Sequence, residues 1–131
     1  MAQPSPRALA DLALLKARYP AAQTTTFPSG NVWVSLDLPI PVGWGVTTVK
    51  LWFFVPPEYP ATPPDCFWVD PMLKVNGNPP TNTQNSQPMP DLGRSQQWFS
   101  WHINNNGQWD GNRDTLTTWV NSCRQRLDQV K

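Results

Sequence analysis

Phe53-Phe54-Val55-Pro56-Pro57-Glu58-Tyr59-Pro60-Ala61-Thr62-Pro63-Pro64-Asp65-Cys66-Phe67-Trp68-Val69-Asp70-Pro71 contains three structural segments in succession. The first closes a strand beginning near Val46, with Val49, Leu51, Phe53 and Val55 on one face and Lys50, Trp52 and Phe54 on the other. A strand apolar on both faces belongs inside a sheet. The second segment, residues 56–64, is rich in proline, which fixes φ and removes backbone donors, so a stiff loop is predicted. The third, residues 66–69, is a short β-type run stopped by Asp70-Pro71, the next strand of a meander.

Upstream, Val32, Val34, Leu36 and Leu38 alternate with Trp33, Ser35 and Asp37, the pattern of a half-buried strand. A polar stretch at residues 23–26 and the Ser29-Gly30 turn precede it. Ser5-Pro6 places a helix N-cap before a proline at the first helical position, and Leu9, Leu12 and Leu15 with Ala8 and Ala13 give an apolar face. The first helix is predicted over residues 6–18, ended by Tyr19-Pro20. Downstream, residues 76–97 are Asn, Gln, Pro, Ser and Thr with hardly an apolar side chain, and read as a long loop. Trp98-Phe99-Ser100-Trp101-His102, a polar patch at residues 104–107 and Trp109 follow. In a final helix, with Asp114 as N-cap, Leu116, Trp119, Val120, Cys123, Leu127 and Val130 share one face. The expected fold is α+β: a single domain over residues 1–131, with an antiparallel meander of three to four strands, an N-terminal helix and a C-terminal helix.

Composition narrows the function. Ten basic against nine acidic side chains give a net charge of +1, without a Lys/Arg cluster to follow a phosphate backbone, so nucleic acid is not an expected partner. No stretch approaches the roughly 18 apolar residues of a membrane span, and the N-terminus lacks an h-region with a cleavage site. A cytoplasmic protein is expected. Cys66 and Cys123 form neither a CxxC pair nor a disulfide framework, which predicts two free thiols. No carboxylate pair, glycine-rich run or His/Cys/Asp set has ligand spacing, so neither metal nor cofactor is predicted.

The strand ending in Phe53-Phe54-Val55-Pro56-Pro57-Glu58-Tyr59-Pro60, followed by Pro63-Pro64 and later Gln108-Trp109, resembles the ubiquitin-conjugating enzyme fold. The run from Tyr59 to Pro71, then Gly93-Arg94, Trp98-Phe99-Ser100-Trp101-His102 and Trp109, is more closely similar to a bacterial conjugating-enzyme-like subfamily, prokaryotic family E. The similarity covers most of the chain from about Asn31 onward. It implies a protein that carries or positions a modifier in a bacterial ubiquitin-like modification pathway. Its implied partners are a ubiquitin-like protein, an activating enzyme and a JAB-type metallopeptidase.

One departure bears on activity. The family's nucleophilic cysteine follows a His-Pro-Asn element some eight residues before the tryptophan matched by Trp109. The tripeptide is absent here, and position 101 is tryptophan. Cys66 and Cys123 read as small packed hydrophobes, since a reactive thiolate needs exposure and electropositive neighbours. The catalytic candidates are therefore His102, as general acid or base, and Ser100 as its hydroxyl partner, although i and i+2 side chains on a strand stand roughly 6–7 Å apart. A histidine hydrogen-bonded to backbone between tryptophans is the structural alternative. Asn104, with Asn105 and Asn106, is either an oxyanion donor or part of a turn. Tyr59, Pro60, Pro63 and Pro64 are assigned to the turn, and Trp98 and Trp101 to partner binding. Trp33, Trp52 and Trp68 either form an exposed partner face or enter the core. Three functions remain open: a carrier that transfers a modifier, a non-catalytic adaptor, or an aromatic module stacking on glycans or proline-rich peptides.

Overall fold

The computed structural model describes residues 3–103 and 109–131. It contains helix α1 (Pro6–Arg18), strands β1 (Gln23–Thr26), β2 (Val32–Pro39), β3 (Thr48–Val55), β4 (Phe67–Asp70), β5 (Thr83–Met89) and β6 (Arg94–Phe99), and helix α2 (Leu116–Leu127). In α1 the Ser5 hydroxyl accepts the Ala8 amide at 3.1 Å, Pro6 takes the first turn, and Ala8, Leu12 and Leu15 face inward. The cap of α2 lies one residue beyond the expected Asp114. Thr115 and Thr118 form a reciprocal capping box, while the Asp114 carboxylate accepts the Asp110 amide at 2.8 Å and pairs with Arg113.

Among the described residues the sheet has six strands in the order β1-β2-β3-β4-β6-β5, with every neighbouring pair antiparallel. The expectation of three to four strands is therefore too low. The polar run at residues 23–26 pairs with β2 as an edge strand, and the stretch expected to be a loop contains β5 and most of β6. β5 lies at the other edge with most of its side chains in solvent, so it needs no apolar alternation. The turn joining β5 to β6 has Asp91 and Gly93 at positive φ, 69° and 67°.

On one face of the sheet, Val34, Leu36, Leu51, Phe53, Phe67 and Phe99 pack with Leu12 and Leu15 of α1 and Leu116, Trp119, Val120, Cys123 and Leu127 of α2. Phe67 stacks on Phe99 at 4.8 Å between centroids. The opposite face forms a second apolar layer of Trp33, Trp68 and Met89, with Trp52, Phe54, Trp98 and Leu92 packed against it. The β5–β6 hairpin folds over this layer. Asp91 accepts hydrogen bonds from the Trp33 indole and the Asn31 amide, each at 3.0 Å, and the Trp68 indole donates to the Gln87 carbonyl at 3.2 Å. Of the three tryptophans left open by the sequence, Trp33 and Trp68 are buried and Trp52 is half-buried beneath Arg94, whose guanidinium lies 4.6 Å from the ring centroid. Among the described residues, no helix is long and apolar enough to cross a membrane.

Candidate functional site

The proline loop between β3 and β4 is held from two sides. Tyr59 is 1% exposed, and its hydroxyl donates to the Asp11 carboxylate of α1. Arg7 pairs with the same carboxylate at 3.1 Å and donates to the carbonyls of Gly111, at 2.7 Å, and Asp114, ahead of α2. The Ser5 hydroxyl donates to the Tyr59 carbonyl and the Trp109 indole to the Pro60 carbonyl, both at 2.7 Å. Burial, then the hydrogen bond and negative charge of Asp11, raise the Tyr59 phenol well above its ordinary value. Tyr59 and Pro60 thereby join the loop to both helical ends of the molecule, while Pro63 and Pro64 carry the chain on toward β4.

Past Pro64 the chain turns sharply. Cys66 adopts φ 64°, an uncommon conformation for a residue with a β-carbon, and its amide donates to the Trp101 carbonyl at 2.8 Å. This bond lays residues 65–66 beside the segment leaving β6. As a result His102 Nδ1 pairs with the Asp65 carboxylate, and one donor atom from each of Asp65, Cys66 and His102 lies within 4.8 Å of the others. The Asp65 and His102 side chains are 62% and 45% exposed, whereas Cys66 is 7% exposed. Asp65 and His102 form the polar wall of an open cleft of about 460 Å³, completed by Thr62, Pro63, Pro64 and Ile103.

Burial pushes the Cys66 thiol up to about 11; the Trp101 backbone opposes that rise, the Asp65 charge adds to it, and the Trp98 side chain opposes it. Cys123 is enclosed on the inner face of α2, where burial raises its thiol well above the ordinary range. In these resting environments both cysteines are protonated at neutral pH. The Asp65 carboxylate on Nδ1 fixes the orientation of the His102 ring at the cleft.

The sequence-derived candidates separate in space. Ser100 donates its amide to Asn82 at 2.8 Å, whereas the next carbonyl, that of Trp101, turns to Cys66. Consecutive residues thus bond to opposite neighbours, and the Ser100 hydroxyl makes no hydrogen bond to His102, which pairs with Asp65 instead. Trp98 is half-buried against the second apolar layer, while the Trp101 indole donates to Ser122 of α2 at 2.9 Å. Asn104, with Asn105 and Asn106, lies outside the described residues. Asp65 escaped sequence reasoning because 37 positions separate it from His102. The available signal was its place immediately after Pro63-Pro64, opposite the Trp98–His102 segment.

Residues 10–130 match a family model described as Prokaryotic E2 family E. Neither the curated proteins nor the solved structures include a match to the chain.

Proposed function

This chain belongs to prokaryotic E2 family E, and on that premise we propose that it positions a ubiquitin-like modifier within a bacterial conjugation pathway. The supporting observation is the cleft beside the proline loop, where Pro63, Pro64 and Ile103 offer apolar walls and the Asp65–His102 pair offers one polar side. An extended C-terminal peptide of a modifier suits such a surface, with side chains against the prolines and its terminal carboxylate or amide near His102. In this reading the whole chain is a single conjugating-enzyme-like domain. Its partners are the ubiquitin-like protein and the activating enzyme of the pathway, with a JAB-type metallopeptidase as a further partner.

The positioning role is favoured over covalent carriage because the His-Pro-Asn element is absent, position 101 is tryptophan and Ser100 is not engaged by His102. Burial of Trp33 and Trp68 removes two of the rings that a glycan-stacking module would display. The test mixes the protein with the ubiquitin-like protein and activating enzyme of the same bacterium plus ATP, and follows intact mass and co-elution. We expect a non-covalent complex that His102→Ala and Ile103→Asp weaken. A covalent adduct that disappears in Ser100→Ala would make the protein a carrier, whereas association indifferent to both cleft variants would remove the cleft from the reading.

A further inference from the structure

Asp65 and His102, which line the cleft, and the buried Cys66 beside them supply one oxygen, one nitrogen and one sulfur donor within 4.8 Å of one another. We infer that this trio is a binding site for a borderline divalent transition-metal cation of the zinc type, with a fourth position open to the cleft. The inference does not depend on the modifier-binding reading.

The donor set and its spacing support this assignment. Zinc takes thiolate, imidazole and carboxylate ligands in tetrahedral geometry, and three protein ligands with one open position are the pattern of its reactive sites. Bond lengths to such an ion place neighbouring donors roughly 3.3–3.8 Å apart. The trio already lies within 4.8 Å, so closure needs movements of about 1 Å. The side chains with room to make those movements are the exposed pair, Asp65 and His102, while Cys66 is buried. Charge also balances, because a carboxylate and a thiolate together neutralise a dication.

The backbone provides a second observation. Cys66 occupies the left-handed region at φ 64°, a conformation that costs a side-chain-bearing residue on the order of 1 kcal/mol or more. The Trp101 carbonyl accepts its amide there, in the arrangement that brings donor atoms of Asp65 and His102 within 4.8 Å of its sulfur. On binding, the Cys66 S–H bond breaks, the sulfur bonds to the metal and one proton leaves to solvent. His102 contributes a ring-nitrogen lone pair and Asp65 a carboxylate oxygen, and no oxidant or reductant is consumed.

Cobalt(II) makes the site visible. The full chain, freed of metal with a chelator and kept reduced, is titrated with cobalt(II) and then with zinc. The expected result is a one-to-one complex with thiolate-to-cobalt charge transfer in the near ultraviolet and the visible bands of a four-coordinate ion, both erased by zinc. Cys66→Ser should abolish the charge-transfer band, and His102→Ala and Asp65→Asn should each weaken binding by more than about tenfold. Cys123→Ala should leave the spectrum unchanged. Should Cys66→Ser fail to fold, the surface variant His102→Ala carries the test alone. A charge-transfer band absent from the wild type, retained at full affinity in His102→Ala, or lost in a folded Cys123→Ala protein would overturn the assignment.

Discussion

A β-carbon at position 111 would stand 2.8 Å from the Pro60 carbonyl oxygen, a backbone atom also held by the Trp109 indole. The oxygen cannot retreat without breaking that hydrogen bond, so Gly111→Ala should cost about 1–3 kcal/mol, read as a lower midpoint in urea unfolding. Tyr59→Phe removes a donor from a carboxylate buried at 3% exposure and should cost a comparable ~1.5–3 kcal/mol, with Arg7 keeping Asp11 from being orphaned. Individual residues differ in how clearly the sequence announced them. His102 stood out as the only histidine, within an aromatic segment, and it does line the cleft. Its partner could not be read the same way, because an aspartate gives no periodic signal and the pairing depends on one long-range backbone bond at Cys66.

The helices were legible because each has an apolar face and a recognisable cap. The one-residue offset at α2 reflects competition between two adjacent capping side chains. Asp114 is drawn back toward Asp110 and Arg113, leaving Thr115 to receive the Thr118 amide. Thr115→Ala should therefore lower stability by about 1 kcal/mol, whereas a true cap at Asp114 would predict no such loss; chemical denaturation of Thr115→Ala against the wild type reads the difference. The central strands β2, β3 and β4 were legible for the same reason as the helices: their side chains alternate or are apolar on both faces. The outer strands β1 and β5 were not, since Gln23, Thr24, Thr25 and the Thr83–Ser86 run have their side chains largely in solvent and are held by backbone pairing. A polar strand and a polar loop look alike until the partner strand is known.

For the molecule as a whole, acid and alkali act through different layers. Burial pushes the Asp91 carboxyl up, but hydrogen bonds from Asn31, Trp33 and Ser29 outweigh it and hold the group below its ordinary 3.8. A carboxyl depressed in the folded state adds stability above its unfolded value and loses it as pH falls through the folded one, because the unfolded chain binds the proton first. The stability of the wild type should thus drop more steeply below about pH 4 than that of Asp91→Asn, a difference measurable by thermal melts across that range. At the other extreme Tyr59 and Cys66 are both raised, so the folded chain retains protons that the unfolded chain releases, and stability should decline from the ordinary thiol value of 9.0 upward. Tyr59→Phe should flatten the part of that decline above pH 10.0, as followed by unfolding midpoints at rising pH.

The same six-strand sheet has two borders, and both are built largely from uncharged polar residues. A bare border of backbone donors and acceptors is a template on which another copy can add its own strand. At the β5 border Pro88 interrupts the row of donors, and the irregular register between Gln84 and Gln87 bends it out of line. Two copies meeting there edge to edge would find an irregular, hydrated seam. Pro88 and the shifted register thus make the β5 border a poor template for a second copy's strand.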